Sequence, residues 1–135
     1  MSYKIEEIEG IGPTFGAKLN EAGIKSTDDF LNICCDPKGR KKISEETEIT
    51  SKLILRWANL ADLMRINGIG PQFSELLEAS GVDTVKELRH RNAENLTVKM
   101  AEVNAEKNLA KTSPAAGVVA DWIEKSKNTE PKITF

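Results

Sequence analysis

Two stretches of this 135-residue chain offer chemistry through the backbone rather than through side chains. Gly10-Ile11-Gly12-Pro13 and Gly68-Ile69-Gly70-Pro71 each set two glycines ahead of a proline. Glycine reaches backbone angles closed to other residues and leaves its amide unobstructed. Proline suits the first position of a helix, where the N–H would be unpaired anyway. Free amides at a helix N-terminus, aided by the helix dipole, can cradle a phosphate oxygen. Such contacts position a protein on DNA without reading its bases. The expected phosphate-contacting set is Gly10, Ile11, Gly12, Thr14 and Lys18 at the first turn, and Gly68, Ile69, Gly70 and Gln72 at the second. Ile11 and Ile69 are also expected to point inward and lock each turn to the core. Lys38, Arg40, Lys41 and Lys42 form the one basic cluster and join the expected DNA-contacting set, although a solvated helix face is the plainer reading.

Other chemistry has little support. The chain holds one histidine, His90, and no serine, cysteine or carboxylate pair with partners at a suggestive spacing. Cys34 and Cys35 are adjacent, which suits neither zinc spacing nor a C-x-x-C redox pair. Glu45, Glu46 and Glu48 read as a solvated segment, and Arg89-His90-Arg91 as a complement to the negative end of a helix. Gly10 to Phe15 imitates the start of a dinucleotide fingerprint, but its sixth residue is Phe and no strand precedes it. No enzyme activity, cofactor or metal is expected.

The elements that position the turns come as a repeat. Residues 8–24 and 66–82 align at an offset of 58 with eight identities in 17 positions, among them Ile8/Ile66, Phe15/Phe73, Leu19/Leu77 and Gly23/Gly81. A later echo at offset 65 pairs Leu53, Ile54 and Trp57 with Val118, Val119 and Trp122. The simplest origin is a duplicated unit with about seven extra residues between Leu88 and Val118 of the second copy. Phe15, Leu19 and Ala22 mark one helical face, and Phe73, Leu76 and Leu77 mark its counterpart. Gly23 and Gly81 stop these helices. Ser26-x-x-Asp29 and Thr84-x-x-Glu87 are capping boxes for the next ones. Asp36-Pro37 and Asn92 open further helices over roughly 38–46 and 93–106. A long helix from about Thr50 to Arg65 serves both units, and its counterpart begins at Ser113-Pro114. Trp57 and Trp122 fall at equivalent places in apolar stripes and are expected in the core. No strand pattern appears.

The pattern of glycine turn, proline, small residue (Gly16, Ser74) and large apolar residue (Leu19, Leu77) resembles the hairpin of helix-hairpin-helix proteins. Across Leu60 to Arg91, including Gly81 to Leu88, and again at Val119 to Ile123, the chain is similar to an uncharacterised bacterial family carrying tandem units of this kind. The resemblance implies an all-α fold of two small SAM-like helical bundles, residues 1–59 and 60–127, sharing the long helix, with 128–135 as a short tail. The family brings no established activity. Nucleic-acid-binding hairpins often carry Lys or Arg just after the proline. Thr14 and Gln72 stand there instead, and they release no counterions.

Charge limits the function further. Lys and Arg number 19 against 21 Asp and Glu, a net of −2. The balance is nine against ten through residue 60 and ten against eleven after it, so neither half has the field of a strongly basic nucleic-acid binder. No apolar run approaches the ~20 residues that span a bilayer. The beginning of the sequence lacks the apolar core of a signal peptide, so a cytoplasmic location is expected. Two functions fit. One is a non-enzymatic accessory protein that binds DNA weakly and without sequence preference, through hairpin amides. The alternative is a protein-interaction adaptor in which the hairpins are purely structural. No membrane partner is expected, and neither reading fixes an oligomeric state.

Overall fold

The computed structural model describes residues 2–135. Among them the regular elements are all helical: α1 (Gly12–Glu21), α2 (Thr27–Cys34), α3 (Pro37–Thr47), α4 (Ser51–Leu63), α5 (Pro71–Ala79), α6 (Val85–Leu88), α7 (Ala93–Lys107) and α8 (Ala116–Lys127). A single 3-10 turn, Ile5–Glu7, precedes them. None of these helices is long and apolar enough to cross a membrane.

Local capping sets the helix starts. The Ser26 hydroxyl accepts from the Asp29 amide, and the Asp29 carboxylate accepts from the Ser26 amide in return, closing the box ahead of α2. Asp36, Thr50 and Asn92 accept from the amides three residues on, at the heads of α3, α4 and α7. Thr84 makes half of the expected box. Its hydroxyl accepts from the Glu87 amide, while the Glu87 carboxylate turns to Arg91. That element, α6, is a single turn. The last helix starts later than Ser113-Pro114 suggests, at Ala116.

The two copies match bond for bond around their glycines. Gly10 and Gly68 have φ of 95° and 102°, and Gly23 and Gly81 have 90° and 96°. These left-handed angles are what the turns require. After the first helix of each copy, the Ile24 amide donates to the Leu19 carbonyl and the Val82 amide to Leu77, both at 2.9 Å. Trp57 and Trp122 are buried. Each takes a tilted aromatic partner, Phe15 at 5.3 Å and Phe73 at 5.2 Å between ring centroids. Both phenylalanines are only half-buried.

Two groups of buried apolar side chains result. One gathers around Phe30, Leu31, Ile54 and Trp57, the other around Leu76, Val85, Met100 and Trp122. In the first, α2 and α3 pack on α4; in the second, α6 and α7 pack on α8. Contact between α4 and α5 joins them. The seam also holds Asp62, 1% exposed. One of its carboxylate oxygens accepts from the Arg65 guanidinium, and the other accepts from the Val85 amide at 2.9 Å. In the first copy the backbone does this work: the Thr27 amide donates to the Tyr3 carbonyl at 2.9 Å.

The segment read as a short tail is a strap. Ile133 packs against the first buried group, and the Thr134 amide donates to the Cys35 carbonyl at 2.8 Å. At the end of α8, the Arg89 guanidinium donates to the Ser126 and Thr129 carbonyls.

Candidate functional site

The amides expected to meet phosphate divide into two kinds. Those of Ile11 and Ile69 are spent internally, donating to the Ile8 and Ile66 carbonyls at 3.2 and 3.0 Å. Both side chains are buried as expected. Each of these two amides closes its turn. The amides of Gly10, Gly12, Gly68 and Gly70 meet no acceptor among the described residues. A side chain added at Gly10 or Gly68 would meet the indole nitrogen of Trp57 at 3.5 Å or of Trp122 at 3.0 Å. The second turn thus fits closely over Trp122, and the first lies in ordinary contact with Trp57. The Trp57 indole N–H is buried and has no hydrogen-bond partner among the described residues.

The turns differ in one respect. Gly12 has φ of 62° and begins α1, whereas Gly70 is extended at φ −97° and ψ −166° and caps α5. Thr14 and Gln72 are exposed just beyond.

The basic cluster is not one surface. Arg40 is 6% exposed. Its guanidinium donates to the Cys34 carbonyl at 3.1 Å and to the Thr134 carbonyl at 2.6 Å. It is a clasp between α3 and the strap. Periodicity places it there, because Arg40 shares the inward face of α3 with Ile43 and Thr47. Lys38, Lys41 and Lys42 are exposed and make no ion pair among the described residues. Lys18 is exposed as well and sits in a separate depression with Glu21, Glu45, Glu46 and Glu48.

The second turn opens into a depression of about 760 Å³ whose other wall comes from the beginning of the chain. Tyr3, Glu6, Glu7 and Glu9 line one side, and Asn67, Gly68, Gly70, Pro71, Gln72 and Phe73 the other. No lysine, arginine or histidine lines it. Glu6 accepts from the Asn20 amide side chain, and Glu7 from the Lys4 backbone amide, both at 3.0 Å. Glu9 has no partner among the described residues. Nearby, burial pushes the Glu75 carboxyl above its ordinary value, and the negative charge of Glu9 adds to the rise, against an opposing pull from Arg56. Tyr3, Glu6 and Glu7 were not foreseen beside the second turn. About sixty residues separate the two walls, and no local pattern links them.

Residues 9–129 match a family model described as Domain of unknown function (DUF4332). The chain belongs to this family. No curated protein and no solved structure matches it. The span matched to DUF4332 takes in both glycine turns, Lys38 to Lys42 and both tryptophans. Tyr3, Glu6 and Glu7 lie before it, and the strap residues Ile133 and Thr134 after it.

Proposed function

We propose that this chain is a non-enzymatic protein-interaction adaptor made of two tandem helix-hairpin-helix units whose hairpins serve packing. One observation carries the reading. The depression at the second hairpin is lined by Glu6, Glu7 and Glu9 and by no lysine, arginine or histidine. Carboxylates there repel a phosphate, and the lysine at that turn, Lys125, is already held by the Asp121 carboxylate and the Asn67 carbonyl, which leaves little counterion release, the main source of non-specific DNA affinity. The left-handed angles of Gly10 and Gly68, with the tight approach of Gly68 to Trp122, supply a structural reason for the glycines that needs no ligand.

Weak DNA contact is the second reading, and the specific observation behind it is the exposed trio Lys38, Lys41 and Lys42. These lysines do not line the depression at the second hairpin.

A photo-crosslinking residue placed at Gln72, with the same residue at Glu45 as control, separates the two. The adaptor reading expects discrete protein adducts at position 72 that are absent at 45 and diminished by Glu9→Lys. Nucleic-acid adducts at 72, with no protein adduct, would contradict it.

A further inference from the structure

We propose that the depression between the chain's first residues and the second hairpin receives an extended, arginine-bearing segment of a partner protein. This rests on the adaptor reading and specifies the partner's chemistry. Its volume of about 760 Å³ lies within the ~300–1,000 Å³ range of binding pockets. Tyr3, Pro71 and Phe73 give it apolar and aromatic walls, and Glu6, Glu7 and Glu9 give it negative charge.

A guanidinium answers both features. It is planar, stacks on aromatic faces and forks onto carboxylate oxygens, where an ammonium acts as a compact, strongly hydrated charge. Glu9 has both oxygens free, and Glu75 beside it already feels the crowding of like charge. A cation seated against Glu9 offsets the charge that both carboxylates share. Gln72 and Asn67, exposed at the rim, can bond the backbone of an extended segment. No group of three or more His, Cys, Asp or Glu side chains among the described residues is arranged to hold a metal ion.

A second copy of this chain does not fit the role. The chain has five arginines, and each is engaged within its own fold. Arg40 and Arg89 hold carbonyls, Arg56 pairs with Glu78, Arg65 with Asp62, and Arg91 with Glu87. The guanidinium must come from another protein.

The test is a titration of the 15N-labelled full chain with a short synthetic peptide alternating leucine and arginine, followed by amide shifts. The expected result is saturable shifts centred on Glu9, Gly68, Gly70 and Gln72, with a Kd below about 1 mM. The same peptide with citrulline for arginine should produce none. Glu9→Gln with Glu75→Gln should weaken binding about fivefold, the loss expected of one or two exposed charge pairs. Glu45→Gln with Glu46→Gln should leave it unchanged. Glu9→Gln alone, at an exposed residue, carries the test if the double variant unfolds. No shifts, shifts scattered over the surface, equal binding of the citrulline peptide, or equal binding by the Glu9 variants would each overturn the proposal. So would a sedimentation mass that rises with concentration and falls back in the Glu9 variants, which would make the occupant a second copy. Crosslinked partners at Gln72 together with a silent titration would defeat this inference and leave the adaptor reading standing.

Discussion

Glu75 and Cys34 show how burial, with nearby charge, retunes a side chain. The Glu75 carboxyl is raised first by burial and then by Glu9. Its folded value therefore lies above its unfolded one. The folded protein binds the extra proton, and the ionised group opposes folding at neutral pH. That penalty is fully present above the raised value and fades as pH falls through it towards the ordinary glutamate range. Glu75→Gln should accordingly raise the urea midpoint at about pH 7 and confer no advantage below about pH 4. A variant equally stabilised at both would place the effect elsewhere. The Cys34 thiol, buried beneath α3, is pushed up to about 12 by burial, against the lowering influence of Arg40. Thiolate is the reactive form. At about pH 8 a thiol-specific reagent should label the half-buried Cys35 in the native protein and reach Cys34 only on unfolding.

At the scale of elements, what the sequence made legible is what neighbours decide. Ser26, Asp36, Thr50 and Asn92 cap helices because a short polar side chain reaches only its own next turn. The glycine turns follow from the same locality. Asp62 was not legible. It lies in the apolar stretch from Leu53 to Met64, and only tertiary packing brings Val85 to it. In the first copy the Tyr3 carbonyl takes the corresponding amide, so the repeat itself conceals the role of this aspartate. Asp62→Ala leaves both the Val85 amide and the Arg65 guanidinium without a partner. It should cost about 3–5 kcal/mol by chemical denaturation, as breaking a buried charged pair does. Asp62→Asn keeps an oxygen for Val85 and should cost less. Equal losses in the two variants would show that the charge, and not the amide bond, holds α4 to α6.

At the scale of the whole molecule, the duplication predicted the paired tryptophans, but the crossings between copies carried no sequence signal. Arg40 read as part of a basic cluster because its neighbours are lysines. Its partner Thr134 is 94 residues away, so its burial emerges only with the strap in place. Removing residues 130–135 takes away the Ile133 packing and the Thr134 bonds, and should cost about 2–4 kcal/mol. The loss should be smaller in an Arg40→Met background, where no buried guanidinium is left short of a partner. Equal losses in both backgrounds would separate Arg40 from the strap. The depression is likewise a product of the whole chain: its first residues reach the second glycine turn and surround free amides with carboxylates.

That arrangement makes DNA the sharpest test of the adaptor. The measurement is fluorescence anisotropy of labelled duplex and single-stranded DNA, titrated to ~100 μM protein in ~50 mM salt, where non-specific DNA-binding proteins ordinarily register. An adaptor with acidic hairpin surroundings should leave the anisotropy flat. A saturable rise that fades with salt, with a log–log slope of about −2 to −4, and that is lost when Lys38, Lys41 and Lys42 become Gln, would contradict it.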